Sequence, residues 1–357
     1  MSLIREYGYE YDAAPVASLL ADTVERVITE PQNGVWYLRS GRDALKMVAR
    51  EHPDATVLMP ALSCDSMTVP FSLYGLPIRY YRLTERYTVD TESVEALIHG
   101  GETELLFLYM DYFGNEALTD SQLLCLQSRY PTMVFAEDRT HNLLQPPTRT
   151  FQPDYVVASL RKWTNIPDGG MLRSKVPLRH TKLGTALSFS RERLRAQELR
   201  HRFFETGDLE LKQQYREIFS TVSEQMDVDP LPCGMSEYAF RLLQRVDWAE
   251  VSAQRKANAT VLMDVLKDEP VRLIGAVPGQ SDLYVAFLTE HRDEIQRRLS
   301  AVGVFCTVIW PLSEEKKAAC PVAATTEACM LAAPCDQRYT EADMHVISNE
   351  MVRVLHE

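Results

Sequence analysis

Residues 157–171 read VASLRKWTNIPDGGM, a stretch that joins the end of a strand-like run, a lysine and a pair of glycines. The run DYVVASL (154–160) has the continuous apolar pattern of a buried strand. Lys162 follows the strand at once, between an arginine and a tryptophan, and the pair Gly169 and Gly170 then indicates a turn. By itself, a lysine after a strand is a solvated surface residue more often than a functional one, so the rest of the sequence has to decide its role.

Residues 40–160 alternate between helical and strand-like segments. The strand-like runs are ATVLMPA (55–61), PIRYYRL (77–83), ELLFLYMDYFG (104–114), TMVFAED (132–138) and DYVVASL, followed by GGMLRS (169–174). Such near-continuous apolar strands are typical of a mostly parallel sheet that is covered by helices on both faces. The sequence therefore predicts an α/β fold, and in such a sheet ligands bind at the carboxyl ends of the strands.

The second half of the chain has a different pattern. Residues 178–229 are rich in charge and have helical spacing, so we expect one or two long, partly exposed helices there. A helix is predicted from residue 236 to about 267, and VRLIG (271–275), LYVAFLT (283–289) and VFCTVIW (304–310) are predicted as strands. The predicted division is an N-terminal segment (1–34), a large domain (35–235) and a small C-terminal α+β domain (236–357).

Composition and charge narrow the class of protein. The 357 residues are 45% apolar and carry a formal net charge of −12, with an isoelectric point near 5.3. Nucleic acid and anionic membranes attract basic patches, so we expect neither as a partner. The N-terminus lacks the basic and apolar regions of a signal peptide, and no apolar run reaches membrane-spanning length, which predicts a cytoplasmic protein.

Cysteine and histidine usage agrees with that location. The seven cysteines are an odd number without a C-x-x-C pair, which is typical of reduced thiols in the cytoplasm. The eight histidines are scattered and no H-E-x-x-H motif occurs, so no metal site is predicted.

Three positions in the sequence, two at strand ends and one at a helix start, fall where ligands bind in such a sheet. Asp138 ends the strand TMVFAED and His141 follows three residues later, while Ser159 stands three residues before Lys162. Gly41 opens a helix within RSGRDALKMV. Taken singly, each has a commoner structural explanation: a cap or turn for Asp138, a structural or exposed position for Lys162, and an ordinary helix start for Gly41.

Together the three positions match one cofactor. A helix N-terminus binds phosphate through its free N–H groups and its dipole. A lysine in a desolvated pocket has a neutral amine that attacks an aldehyde, and a carboxylate at a neighbouring strand end keeps a pyridine nitrogen protonated. These are the parts that hold pyridoxal 5′-phosphate (PLP), and their order along the chain suits a sheet enzyme.

The chain resembles the sugar aminotransferases of the DegT/DnrJ/StrS family, which have fold type I of the PLP-dependent transferases. The resembling stretches are SGRDAL, VLMPALSCDS, PFSLYGLPIRYY, YMDYFG, AEDRTH, SLRKWTNIPDGGML and PCDQRYTEADM. The resemblance implies a large domain with a mostly parallel central sheet flanked by helices, plus a small C-terminal α+β domain. It also implies PLP as the cofactor and transamination as the reaction, because Lys162 stands where related dehydratases have histidine.

The resemblance gives roles to three residues of the reaction centre. Lys162 is expected to form the Schiff base with PLP and then to move the proton between the donor Cα and the cofactor. Asp138 is expected to pair with the pyridine nitrogen. His141 matches the position that leans on the cofactor near the ring oxygen O3′.

The resemblance also implies a phosphate site. The helix start at Gly41, Arg42 and Asp43 is expected to offer backbone N–H groups, and Ser159 a hydroxyl. Two of these positions depart from the relatives. Ser159 lies three residues before the lysine, where relatives have a serine five residues before it. Arg42 stands in place of a small Ser or Thr, which suggests an extra positive charge near the phosphate or the substrate.

Two more positions differ from the relatives. Cys64 falls where many of them have an aromatic residue that stacks on the cofactor ring, so either Tyr109 or Tyr112 takes that role or neither does. Ser236 falls near a position where relatives place an asparagine from the partner subunit. It is therefore a candidate ligand contact, while a phosphate ligand from the partner subunit is in doubt.

The resulting hypothesis is a ping-pong aminotransferase. It moves an amino group from an amino-acid donor, expected to be glutamate, to a keto sugar carried on a nucleotide. Candidate cations for the diphosphate are Arg161, Arg139, Arg338 and Lys175, for each of which a surface or ion-paired position is the commoner explanation. The resemblance further implies a homodimer with its site at the subunit interface. Two alternatives stay open: another fold-type-I enzyme (an amino-acid aminotransferase or a lyase), and a PLP-binding protein without catalysis.

Overall fold

The computed structural model describes residues 6–13, 24–275 and 282–357. The strands in these ranges are β1 (Tyr7–Gly8), β2 (Val35–Leu38), β3 (Ala55–Pro60), β4 (Ile78–Tyr81), β5 (Glu104–Met110), β6 (Met133–Asp138), β7 (Tyr155–Ala158), β8 (Gly170–Ser174), β9 (Arg272–Ile274), β10 (Tyr284–Leu288), β11 (Val304–Phe305) and β12 (Met330–Pro334). The α-helices there are α1 (Gly41–Glu51), α2 (Asp65–Ser72), α3 (Thr91–Ala96), α4 (Asp120–Arg129), α5 (Ser188–Thr206), α6 (Leu209–Val228), α7 (Glu237–Leu243), α8 (Trp248–Leu266), α9 (Arg292–Ala301), α10 (Glu314–Ala319), α11 (Pro321–Cys329) and α12 (Glu341–His356). None of these helices is both long enough and apolar enough to cross a bilayer.

A seven-stranded sheet carries the first half of the chain, in the order β2-β8-β7-β6-β5-β3-β4. The strands β7, β6, β5, β3 and β4 pair in parallel, whereas β8 is antiparallel to both of its neighbours. The inner strands β3 and β5 are buried along nearly their whole length, as expected for parallel strands between layers of helices. The predicted α/β fold with a mostly parallel central sheet is confirmed.

Three strands have no counterpart in the prediction: the two-residue β1, β2 and β12. β2 is an edge strand of four residues whose side chains alternate between buried and half-buried positions, and so short a pattern does not stand out in a sequence. β12 reads MLAAP, and alanine and proline have low strand propensity. Its pairing with β10 compensates for that low propensity.

Two other predictions are corrected by the structure. The predicted strand VFCTVIW forms only its first two residues, β11, because Thr307 instead exchanges hydrogen bonds of 2.9 Å with Ala332 of β12. The helix predicted from residue 236 to 267 is two helices, α7 and α8. Asp247 separates them, since its carboxylate accepts two backbone N–H bonds at the start of α8.

The C-terminal half is built on the antiparallel sheet β12-β10-β9. Helices α8 and α12 contribute Leu262 and Met344 to its buried cluster. Strand β1 pairs in parallel with β11, and the Gly8 N–H donates to the Tyr339 hydroxyl at 2.6 Å. The residues of β1, which the sequence assigned to a separate N-terminal segment, therefore pack onto this C-terminal α+β unit.

The charged stretch 178–229 contains two long helices, α5 and α6, in agreement with the prediction. Gly207 ends α5 in the left-handed conformation, with φ of 73°. Not all of the charge on α5 faces solvent, because Arg193 and Arg200 are 1% and 0% exposed. Arg200 donates to the backbone carbonyls of Gly8 and Glu10, so α5 holds the N-terminal residues in place.

The start of α1 lies against β8 at a very close backbone contact. A Cβ on Gly170 would lie 2.2 Å from the carbonyl carbon and 2.3 Å from the carbonyl oxygen of Ser40. A Cβ on Gly41 would meet Ser159 only at 3.4 Å, which is an ordinary contact. Packing therefore requires a glycine at position 170, whereas Gly41 leaves space beside Ser159.

We expect Gly170→Ala to lower the free energy of unfolding by about 1–3 kcal/mol, the usual cost of overpacking, because Ser40 has to move. Gly41→Ala is the matched control: it adds the same methyl group and should change the free energy of unfolding by less than about 0.5 kcal/mol. Urea unfolding followed by circular dichroism measures both variants. Equal stability of Gly170→Ala and the wild type would contradict the close contact.

Candidate active site

The carboxyl ends of β6 and β7 and the start of α1 meet around a cavity of about 490 Å³. Seven residues that the sequence proposed from separate motifs line it: Gly41, Arg42, Cys64, Asp138, Ser159, Arg161 and Lys162. The structure brings these residues together because the carboxyl ends of β6 and β7 and the start of α1, which follows β2, lie at one edge of the sheet.

One end of this cavity is the N-terminus of α1. Ser40 caps the helix: its hydroxyl accepts from the Asp43 N–H at 3.2 Å and donates to the Asp43 carboxylate at 2.6 Å. The first N–H groups of a helix, here those of Gly41 and Arg42, have no partner within it. With the Ser159 side chain beside Gly41, this end of the cavity suits a phosphate group.

Thr140 joins the ends of β6 and β7. Its N–H donates to Asp138 Oδ1 at 2.8 Å, and its Oγ1 accepts from the Ser159 N–H at 3.0 Å. The indole Nε1 of Trp163 donates to the Thr140 carbonyl at 2.8 Å, which fixes the residue after Lys162. Burial raises the pKa of Asp138, while the hydrogen bonds from Thr140 and the charge of Lys162 oppose that effect.

Lys162 ends a short 3₁₀ turn directly after β7. The Gly169 carbonyl accepts from the Arg161 N–H at 3.2 Å, so the glycine pair folds back onto this turn. Burial lowers the pKa of Lys162, and the charge of Arg161 adds to the effect while Asp138 opposes it. A lowered pKa increases the neutral fraction of the amine, and the neutral amine is the nucleophile.

His141 lies behind the cavity among aromatic rings. Its ring centroid is 5.2 Å from that of Phe113 and 5.5 Å from that of Trp310. The planes of His141 and Trp310 form an angle of 34°. Burial lowers the pKa of His141 well below its usual value, and the charge of Lys162 acts in the same direction. The imidazole is therefore neutral at physiological pH, and at 1% exposure it lies just beneath the cavity surface.

Trp310 supplies an aromatic side chain to the cavity wall. Cys64 lies in the same wall, with its Sγ 2.8 Å from the Ser66 hydroxyl. Tyr109 and Tyr112, which the sequence offered as stacking residues, are 0% exposed and belong to the core. Neither tyrosine reaches the cavity, so the aromatic surface comes instead from the segment that follows β11.

Helix α6 closes one side of the cavity, where Met226 lines the wall. Arg42 forms an ion pair of 3.1 Å with Asp227 and donates to the Ser223 carbonyl at 3.0 Å. Lys46 donates to the Met226 carbonyl at 2.8 Å. The positive charge that Arg42 was expected to bring to the ligand is thus shared with α6.

A second cavity, of about 900 Å³, lies between the C-terminal sheet and residues 8–11. Its walls carry Tyr9, Tyr11 and Tyr284 together with the charged residues Glu10, Arg255, Asp336 and Arg338. Arg161 and Lys162 line both cavities, so the two spaces meet at these two residues. The lysine has the helix start on one side and a larger polar space on the other.

Four candidate ligand residues lie away from both cavities. Asp43 is fully buried below the helix start, where its N–H already binds the capping serine. Arg139 donates to backbone carbonyls of the loop after β6. Ser236 caps α7 and donates to Asp168 at 2.7 Å. Lys175 is exposed beyond the end of β8. Within this chain the structure gives the first three a packing role and leaves Lys175 on the surface.

The lining residues that were not identified from the sequence include Glu10, Met226 and Trp310. Each belongs to a segment whose position depends on long-range packing, so no local pattern pointed to it. Within the described ranges, no three His, Cys, Asp or Glu side chains are close enough to hold a metal ion.

We expect Lys162→Met to raise the free energy of unfolding of the ligand-free protein near pH 7. The fold lowers the pKa of this lysine, so a protonated Lys162 destabilises the wild type below that folded pKa. The destabilisation decreases as pH rises through the folded pKa and vanishes above the unfolded value of about 10.4. Urea unfolding near pH 7 and near pH 10 should show a gain that shrinks with pH. Lys175→Met, at an exposed lysine, is the control, and a loss of stability in Lys162→Met at neutral pH would contradict the burial cost.

Comparison with known proteins gave matches among solved structures, whereas neither protein-family models nor curated proteins match the chain. The chain is similar to Helicobacter pylori PseC, an aminotransferase involved in the biosynthesis of pseudoaminic acid (TM-score 0.68, 12% identity, covering 99% of this chain and 100% of that one). It is similar to Spr1654 from Streptococcus pneumoniae, a proposed sugar aminotransferase in its PLP form (TM-score 0.69, 14% identity, covering 98% and 99%). It is also similar to a DegT DnrJ EryC1 StrS aminotransferase from Brucella abortus (TM-score 0.64, 16% identity, covering 90% and 86%). The predicted fold type I is confirmed: this chain has the fold of the DegT/DnrJ/EryC1/StrS aminotransferases.

Proposed function

We propose that the protein is a PLP-dependent aminotransferase that moves an amino group from glutamate to a keto sugar carried on a nucleotide. The observation that carries this proposal is the position of Lys162, which lies where two cavities meet and has its amine pKa lowered by burial. Asp138 and the start of α1 share the first cavity with it. The likeness in fold to PseC and Spr1654 supports the proposal.

The residues of the first cavity fit PLP. Asp138 offers a buried carboxylate to a protonated pyridine nitrogen, and a cation there would offset the burial that raises the pKa of this acid. The start of α1 and Ser159 offer N–H and O–H groups to the phosphate, and the absence of a side chain at Gly41 keeps that space open. When bound, PLP supplies an aldehyde and a ring that withdraws electron density from the substrate Cα.

Lys162 is the base of the proposed reaction. Its neutral amine would hold the cofactor through the aldehyde group and, when the donor amine takes that place, would accept the proton from the donor Cα. Asp138 keeps the pyridine nitrogen protonated, and His141 stays neutral beside Trp310. The keto acceptor passes through the same steps in reverse, which gives a ping-pong order.

The second cavity supports a sugar as the acceptor. Tyr9, Tyr11 and Tyr284 give it ring faces and hydroxyl groups, a combination of apolar surface and hydrogen-bonding groups that suits a sugar ring. The cavity opens directly beside Lys162, where the keto carbon has to react. A wall of purely aliphatic side chains would not favour such a ligand.

The alternative of an amino-acid aminotransferase or a lyase predicts a free arginine on the C-terminal wall of the site. Arg338 is in that place, but Asp336 accepts from its Nε at 2.7 Å and from its NH2 at 2.9 Å. Its NH1 donates to the Glu10 carbonyl at 3.0 Å. All three nitrogen atoms of the Arg338 guanidinium therefore have partners within the protein, and Arg338 does not favour this alternative.

We further propose a cytoplasmic homodimer with its site at the subunit interface. The resemblance in sequence to the sugar aminotransferases supports the dimer. The seven cysteines, all described as free thiols, agree with a reducing compartment. Light scattering after size-exclusion chromatography measures the oligomeric state, and a monomer at micromolar concentration would contradict the shared site.

With PLP added, the purified protein should show the visible absorbance band of lysine-bound cofactor, and excess glutamate should bleach it. Lys162→Ala should abolish the band, because no other lysine lines the first cavity among the described residues. Keto-sugar nucleotides added to the bleached protein should restore the band, and the most effective one identifies the acceptor. A band that no amino donor bleaches would contradict aminotransferase activity and favour the non-catalytic alternative.

We expect Trp310→Ala to raise the Kd of PLP roughly 2- to 12-fold, since an aromatic contact contributes about 0.5–1.5 kcal/mol. Trp310→Phe keeps an aromatic ring and should have a smaller effect. Trp248→Ala, on α8 and away from both cavities, is the control for loss of a half-buried indole. Equilibrium dialysis measures the Kd, and circular dichroism checks folding. An unchanged Kd in Trp310→Ala would refute the contact with the cofactor.

A further inference from the structure

Two arginines of the second cavity donate their guanidinium hydrogen bonds to other residues of the protein. Arg255 donates to the Gln337 side chain at 2.8 Å and to the Asp282 carbonyl at 2.9 Å. Arg338 forms a bidentate pair with Asp336 at 2.7 and 2.9 Å. These side chains hold the C-terminal wall of the cavity together, so their charges are not available to a ligand.

Arg161 differs from both. Among the described residues, its one ion pair is with Glu10, at 3.6 Å, and its buried Nε has no hydrogen-bond partner. Glu10 is bound more tightly by Arg193, whose NH2 lies 2.7 Å from Oε2 and whose NH1 lies 3.3 Å from Oε1. Burial lowers the pKa of Arg161 to about 10, and the charge of Arg193 acts in the same direction. The guanidinium beside Lys162 is thus a largely buried cation with little compensation.

The position of Arg161 indicates which anion it suits. An α-amino acid carries its carboxylate on the same carbon as the amine that displaces Lys162, so the group that binds this carboxylate has to lie next to the lysine. In a nucleotide-linked sugar, part of the sugar ring separates the diphosphate from the keto carbon, so cations for the diphosphate lie farther away. Arg161 adjoins Lys162 and lines both cavities, which fits a carboxylate.

We propose that Arg161 binds the α-carboxylate of the amino donor, an inference that rests on the proposed aminotransferase function. A guanidinium forms two parallel hydrogen bonds with a carboxylate; the Nε of Arg161 has no partner among the described residues, and its NH1 makes only the 3.6 Å contact with Glu10. Glu10 competes weakly for the same cation, and the donor carboxylate replaces its contact of 3.6 Å. The N-terminal residues thereby adjust the affinity of the donor site.

The test is the binding of glutarate to the PLP-loaded protein, measured by isothermal titration calorimetry. Glutarate has the two carboxylates of glutamate and no amine, so it binds without reacting. Arg161→Gln should raise its Kd about 10- to 100-fold through loss of the charge-assisted pair, and Arg161→Lys should raise it less. Arg241→Gln makes the same charge change on the surface of α7, where 72% of the side chain is exposed, and should leave the Kd unchanged.

Glu10→Gln gives an effect of opposite sign that misfolding cannot imitate. Removing the competing carboxylate should lower the Kd of glutarate, because Arg161 then faces the ligand alone. A raised or unchanged Kd in Glu10→Gln would contradict the competition. Circular dichroism and the visible band of bound PLP verify that each variant is folded and loaded.

Four results would overturn the inference: no binding of glutarate to the wild type, an unchanged Kd in Arg161→Gln, a loss of PLP affinity instead, or weaker binding of uridine diphosphate with glutarate unaffected. The last result would assign Arg161 to the acceptor. Wild-type protein that binds glutarate through Arg161 but is not bleached by glutamate would refute the aminotransferase function and leave the carboxylate site standing.

Discussion

The buried carboxylate of Asp43 is the interaction on which the candidate site depends. It accepts hydrogen bonds from Arg39 at 2.8 and 3.0 Å, from the Ser40 hydroxyl at 2.6 Å and from the Cys233 N–H at 3.2 Å. Breaking such a buried charged pair by removing one partner costs about 3–5 kcal/mol, so the arrangement is strongly specified. These bonds join the end of β2, the first turn of α1 and the chain that follows α6.

Backbone hydrogen bonds connect Arg39, the partner of Asp43, to the turn that carries Lys162. The Arg39 carbonyl accepts from the Gly169 N–H at 2.8 Å, and the Gly169 carbonyl accepts from the Arg161 N–H at 3.2 Å. The helix end that suits a phosphate and the turn that carries Lys162 are therefore tied by consecutive hydrogen bonds of one backbone segment. Pre-positioning of this kind matters for catalysis, because a reacting amine has to meet its target within a few tenths of an ångström.

The fold and the centre of the site could be predicted because they depend on local patterns. Continuous apolar strands specify a parallel sheet, and the ends of such strands bring Asp138 and Lys162 together. The bonding of Asp43 to Ser40 could not be predicted, because an acid in the first turn of a helix has the same sequence pattern whether it faces a ligand or its own N-cap. Trp310 could not be found, since the sequence predicts a strand through residue 310, whereas the strand that forms ends at Phe305.

The net charge of −12 describes the outside of this protein and not its site. At the second cavity, Arg161 is largely buried and poorly compensated, and among the described residues its one ion-pair partner, Glu10, comes from the N-terminal residues of the chain. Those residues are held in turn by α5, where Arg200 binds the carbonyl of Glu10 and Arg193 binds its carboxylate. The charged stretch that resembles a solvated helix pair in the sequence thus acts, through Glu10, on the cation beside Lys162. A link of this kind spans residues that lie far apart in the chain, and for that reason it has no motif.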